Sequence, residues 1–336
     1  MFLTGWQSDL ASTHVSSNPA ASTSWETLSG TGRSGATPAS PGRAAGSLRK
    51  TPRASWHLMK IDFHIHVITR QMVDVPWYGG LFLKHNPTLF TEQGKFPLTP
   101  ERILAEMDSA GIDYGLILPN ESTQIGIDIP NEFVLEFCQG QERLLPWVDV
   151  NPQNTNDPVK RLETLVKAGA RALKLYPTYQ WFYPNDPSLN KLYALAQEAR
   201  LPVMIHTGSS IFPTSRIKYG DPLFLDDVAV DFPELNIVLA HSGRGPWYSH
   251  AVTLARTRDN VFLEISGIPP HRLLEYLPAL TRLSHKTIFG SDWPSVPPLK
   301  RVVQDIASLP FSSEDLEKIF WGNAARLLGL EEKADR

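Results

Sequence analysis

From residue 60 onward the chain alternates between short apolar runs and longer stretches in which apolar residues return every three or four positions. The short runs predict strands: KIDFHIH (60–66), YGLILP (114–119), LLPWVDV (144–150), ARALKLYP (170–177), PVMIHTG (202–208), NIVLAHSG (236–243), VFLEISG (261–267) and TIFGSDWP (287–294). The stretches between them predict amphipathic helices. In TPERILAEMDSAGI, Thr99 is placed to cap, Pro100 takes the first helical position, and Ile103, Leu104 and Met107 share a face. Asp157–Pro158 and Asp186–Pro187 open two further helices in the same way, and Gly111 and Gly169 stand where helices should stop. SSEDLEKIFWGNAARLLGL reads as a final helix pair that closes the base.

Regular strand–helix alternation implies a parallel sheet. Eight repeats after Met59 match a (β/α)8 TIM barrel, which takes roughly 250 residues. An open doubly wound sheet is the alternative, but no G-x-G-x-x-G follows the first strand.

In such a barrel the chemistry collects at the C-terminal ends of the strands. Those ends carry His64 and His66 on strand one, Lys174 on strand four, His206 on five, His241 on six and Asp292 on eight. Side chains alternate along a strand, so His64 and His66 are expected to face the interior together, with Phe63 and Ile65 turned to the helices. A lone histidine in an apolar strand is more often a packed core residue than a ligand. Four imidazoles and a carboxylate at successive strand ends are different, because burying them without a shared partner is costly. Nitrogen and oxygen ligands of this kind suit a divalent ion such as zinc.

Residues 1–58 break the pattern. Ser, Gly, Ala, Thr and Pro dominate, no period runs through them, and their charge is +3 against −6 for the rest. Such a segment buries too little apolar surface to offset chain entropy, so disorder is expected. It is a natural extension, a transit-like peptide, or sequence upstream of a start at Met59; the last is favoured because the ordered pattern begins within two residues of that methionine. The barrel domain is expected over 59–332. A net charge of −3 gives no reason to expect nucleic-acid or membrane-surface binding, one cysteine (Cys138) precludes an internal disulfide framework, and no apolar run is long enough to span a membrane. A cytoplasmic protein acting on a small molecule is the expectation.

The ordered set DFHIH, IHTGS, LAHSG and GSDWP resembles the amidohydrolase superfamily, and more narrowly its branch of aminocarboxymuconate semialdehyde decarboxylase-like, metal-dependent TIM-barrel enzymes. The resemblance runs from about Met59 to Leu330. It implies that His64, His66, His206 and Asp292 bind one divalent metal ion, zinc by preference. It implies that Asp292 also accepts and returns a proton, and that His241 polarises a substrate oxygen. Lys174 aligns with a lysine that is carboxylated and bridges a second metal in binuclear members; one metal is favoured here. Tyr176, Trp181, Arg216 and Arg244 are candidate substrate contacts, the aromatic run at 176–184 as a wall and the arginines as carboxylate clamps. The expected reaction is hydrolysis of an amide, lactone or ester; the alternative is non-oxidative decarboxylation of an aromatic or unsaturated acid, and a metal-bearing protein without turnover is the alternative of another class. Homo-oligomers are common among barrels of this kind, by analogy alone.

Overall fold

A computed structural model describes residues 58–69, 72, 76–87 and 98–330. The serine-rich segment, apart from Leu58, lies outside the described residues, as does the end of the expected barrel domain beyond Leu330. The eight expected strands are present: β1 Ile61–His66, β2 Tyr114–Leu118, β3 Leu144–Asp149, β4 Ala172–Leu175, β5 Val203–Gly208, β6 Ile237–Arg244, β7 Val261–Glu264 and β8 Thr287–Ile288. They pair in sequence order, each parallel to the next. The ring closes where the chain after β8 returns to β1: Phe63 N donates to Phe289 O, His66 N to Trp293 O, and Asp292 N to His64 O. β8 is shorter than its apolar run suggested: its pairing with β7 stops at Ile288, and Phe289–Trp293 bonds to β1 instead.

Helix α1 is Pro76–His85, and α2 (Pro100–Ala110) begins and ends as its sequence indicates. The Thr99 side chain accepts from Arg102 N, and Gly111 takes the left-handed conformation (φ 65°) that lets its N–H reach back to the last carbonyls. Helix α3 (Pro158–Lys167) is capped by Asp157, and α4 is Asn190–Glu198. Asp186 caps a short 3-10 turn just ahead of α4 rather than the helix itself. At the C-terminus a capping box at Ser312 opens the helix Ser313–Glu317, a π turn follows over Lys318–Gly322, and α5 (Asn323–Leu328) ends on left-handed Gly329. Among the described residues, no helix is long and apolar enough to cross a membrane.

Two apolar cores result. One lies between strands and helices. The other fills the barrel axis with Phe63, Leu116, Trp147, Ala172, Met204, Val238, Phe262 and Ile288, and is plugged from below by Trp321, Ala324 and Leu328. Phe63 therefore faces inward, against the expectation from simple alternation, and meets Trp147 edge-on at 5.1 Å. The cause is a bulge. Asp62 pairs with Gly115 but Ile65 with Ile117, so β1 holds one extra residue opposite Leu116. Phe63 and His64 are consecutive and both point inside; only Ile65 joins the helix-side core. Asp62 holds the bulge in place, its Oδ1 accepting from His64 N (3.1 Å) and Ser291 N (2.9 Å).

Candidate functional site

A second irregularity delivers His241. Between β5 and β6 the pairing passes from His206–Ala240 to Gly208–Arg244, so β6 gains residues at its tip. His241, Ser242 and Gly243 all have positive φ (63°, 48° and 73°), as does Asp292 (68°). For residues other than glycine such backbone costs roughly 1–3 kcal/mol each and persists where surrounding bonds over-determine it. Here those bonds are visible: Glu264 Oε2 accepts from His241 N, Ser242 Oγ donates to Glu264 O, and Gly243 N donates to Thr207 Oγ1.

These distortions gather the polar strand ends around a cavity of about 170 Å³ lined by His64, His66, His206, His241, Arg244 and Asp292, with Tyr176, Tyr179, Phe82 and Phe212 as aromatic wall. At its floor His64 Nε2 lies 3.2 Å from His66 Nε2, and Asp292 Oδ1 lies 3.2 Å from His66 Nε2 and 3.7 Å from His64 Nε2. A tetrahedral ion with bonds of ~2.0–2.1 Å separates its ligand atoms by about 3.3 Å, so the three atoms fit one divalent ion. His206 is not part of this tight trio. Its ring lies 4.8 Å from that of His241 and 4.6 Å from that of Tyr179, and its Nε2 is buried without a hydrogen-bond partner. A buried nitrogen left bare in a polar cavity is what a metal ligand looks like before its ion is counted.

The electrostatics agree with that use. Burial, then the charge of Lys174, pulls His64 and His206 well below the usual imidazole range; burial and Arg244 do the same for His241. All three rings are neutral at neutral pH, the form that ligates. Burial pushes the Asp292 carboxyl up, but the hydrogen bond from His66 and the neighbouring His64, His66 and Arg244 outweigh it and hold the group at about 2. Lys174 is fully buried with no hydrogen-bond partner on Nζ; it faces Tyr176 at 5.1 Å and feels Glu264, Asp292 and Asp149. Burial pulls its ammonium down and pushes the Glu264 carboxyl up.

Of the candidate substrate contacts, Tyr176 and Arg244 line the cavity and Trp181 and Arg216 do not. Pro177–Gln180 forms a single helical turn and Trp181 leaves it in the left-handed conformation, which carries the chain away from the mouth. Arg216 then stacks on Trp181 at 4.0 Å, an outer pair rather than a clamp. Tyr183 is exposed and Phe182 joins the helix-side core. Arg244 donates to Gly267 O and Ser209 O and stands 3.8 Å from Asp292. Gly267 (φ 63°) is required for this approach: a Cβ there would meet Arg244 Nη1 at 2.4 Å and Asp292 Oδ2 at 2.7 Å. The contributors not anticipated include Asp62, Ser266, Gly267, Asn120, Phe82 and Phe212. Ser266 had a readable signal, since Glu264-x-Ser266 at the tip of β7 repeats the spacing of His64-x-His66.

Comparison with known proteins agrees with the fold. Among solved structures, an uncharacterised TIM-barrel protein from Bordetella bronchiseptica is 25% identical, covering 83% of this chain and 100% of its own, with a TM-score of 0.67. A probable 2-pyrone-4,6-dicarboxylic acid hydrolase from Acinetobacter baumannii, solved with citric acid, is 18% identical over 80% of this chain and 99% of its own (TM-score 0.57). A 5-carboxyvanillate decarboxylase from Novosphingobium aromaticivorans, complexed with manganese and a nitrobenzoic acid, is 16% identical over 81% and 96% (TM-score 0.58). No curated protein matches the sequence. The model of the amidohydrolase family matches residues 61–330, nearly the whole described barrel, and the chain belongs to that family of enzymes.

Proposed function

We propose that this enzyme hydrolyses an ester, lactone or amide bond in a small, carboxylate-bearing molecule, using one divalent ion, zinc by preference, held by His64, His66, His206 and Asp292. The observation that carries this reading is the convergence of His64 Nε2, His66 Nε2 and Asp292 Oδ1 on one point of the cavity floor. When bound, the ion polarises a carbonyl and makes a water nucleophilic near pH 7. Asp292, kept ionised, accepts the proton of the attacking water and returns it to the leaving group. Arg244 supplies a fixed cation at the cavity edge for the substrate carboxylate. Tyr176 and Tyr179, stacked at 5.5 Å, offer a flat wall to a planar or unsaturated body. Lys174 lies among the buried acids Glu264, Asp292 and Asp149 rather than completing a second metal site. The one cysteine, Cys138, is buried and free, which suits a cytoplasmic setting.

Decarboxylation of an aromatic acid is the second reading. The same arginine and flat wall suit it, and a neighbour of this fold carries that activity in its name. There the proton goes to the carbon that loses CO2, so both readings ask one group to take up and return a proton, and the product tells them apart. A screen of lactones, esters, amides and aromatic acids, with CO2 release read separately from bond hydrolysis, separates the two. Hydrolysis that disappears on chelation and returns with zinc is expected; CO2 release without hydrolysis would reverse the assignment.

A further inference from the structure

Beneath the cavity one hydroxyl touches two of the catalytic rings. Ser266 Oγ donates to Glu264 Oε2 at 2.8 Å and lies 3.0 Å from His64 Nδ1 and 2.9 Å from His241 Nδ1. All four residues are buried. His64, His241 and Glu264 form a second trio with metal-ligand spacing, but the serine hydroxyl already sits among them.

The hydrogens can be counted. A serine hydroxyl has one proton and two lone pairs. Both Glu264 oxygens already accept backbone N–H groups, Oε1 from Ser266 and Oε2 from His241, so both act as acceptors and Oε2 takes the serine proton. The two remaining lone pairs face the two imidazoles, each of which must then donate. His241 has an independent constraint: its Nδ1 is also 3.0 Å from Ser266 O, a carbonyl that can only accept. His64 Nδ1 has a Glu264 oxygen as its other neighbour, at 3.5 Å.

We infer that Ser266 is a positioning residue that fixes His64 and His241 as Nδ1–H tautomers, so that both keep a bare Nε2. For His64 the bare nitrogen is the one facing His66 and Asp292; the opposite tautomer would put a hydrogen where an ion must sit. For His241 the consequence is an order of events. It enters the reaction as a proton acceptor and can polarise a substrate oxygen only after it has been protonated. Partners that orient a ligating histidine in this way are typically worth 10–100-fold in metal affinity.

The inference rests on the proposed metal role of His64, and its test separates the two. The full chain, stripped of metal and carrying 15N-labelled histidine, is read by two-bond proton–nitrogen correlation, which distinguishes the tautomers. His64 and His241 are both expected with protonated Nδ1. A proton on Nε2 of either ring in the unaltered protein overturns the inference, whatever any variant does. In Ser266→Ala, His64 should lose its single tautomer while His241 keeps its own, because the residue 266 carbonyl remains. Zinc affinity, measured by competition with a chromophoric chelator, should fall 10–100-fold, and Ser266→Thr should restore both readings. An unchanged His64 tautomer with unchanged zinc affinity in Ser266→Ala also overturns it. Nδ1–H tautomers in a chain that binds no zinc would uphold the serine's role and sink the metal assignment instead.

Discussion

Met204 and His206 stand two residues apart on β5, both buried, both facing the barrel axis. Around Met204 lie Phe63, Trp147, Val238, Phe262 and Ile288, a layer that holds the strands together by excluding water. Around His206 lie His241, Tyr179 and the charge of Lys174, a layer of polar groups that interact chiefly with one another. The same step is repeated on β4, from Ala172 to Lys174, and on β7, from Phe262 to Glu264. Burial is equal in the two layers, so burial does not separate stability from function here. What separates them is partner supply: the lower layer is complete as built, whereas the upper one leaves His206 Nε2 and Lys174 Nζ without hydrogen-bond partners.

The largest effect expected from breaking this contrast is at Asp292. Asp292→Asn keeps the shape but removes the base and a ligand charge, and should lower kcat by roughly 10³-fold or more, equivalent to about 4 kcal/mol, while the chelated protein unfolds at an unchanged or higher urea midpoint. A fall in stability matching the fall in activity would place Asp292 among the structural residues.

The β5 pair sharpens the comparison within one strand. Met204→Ala should cost about 2–5 kcal/mol in urea unfolding through the cavity it leaves, with zinc affinity per folded molecule unchanged. His206→Ala should do the reverse, losing roughly 100-fold or more in zinc affinity with a smaller change in metal-free stability. If both variants lose stability alike and neither loses zinc, the two layers are one structural core.

How much of this contrast was legible beforehand depends on the strand. On β4 and β5, period-two alternation is undisturbed, and Lys174 and His206 point inward as the sequence implies. On β1 and β6 it is not. His64 faces inward only because a bulge lets Phe63 and His64 do so together, and His241 does so through three successive left-handed residues. The histidines that line the cavity stood out in the sequence because their type and order at strand ends are distinctive, not because alternation accounts for all of them. Bulges depend on bonds from distant segments, such as Asp62 to Ser291 N and Glu264 to His241 N, and a local pattern cannot contain those. The loop contacts divide for a related reason: Tyr176 and Tyr179 line the cavity, whereas Trp181, which leaves the turn left-handed, and Arg216, which stacks on it, do not.

The smallest effect tests whether the buried acids outside the cavity belong to the upper layer's electrostatics. Asp149 is fully buried and accepts from Glu121 N and Gln180 Nε2, yet burial outweighs these bonds and pushes its carboxyl up to about 7. In the unfolded chain it titrates near 4. Between those values the native state holds a proton that the unfolded state has lost, so this residue makes stability fall as pH rises, with nothing further lost above about 7. Asp149→Asn removes the proton from the balance. Its urea stability relative to the parent should therefore improve by about 3 kcal/mol between pH 5 and pH 8 and then level off. A difference between the two proteins that stays constant with pH would mean that Asp149 is ionised when folded, paired with Lys174, and that the polar layer takes in β3, which contributes no residue to the cavity lining.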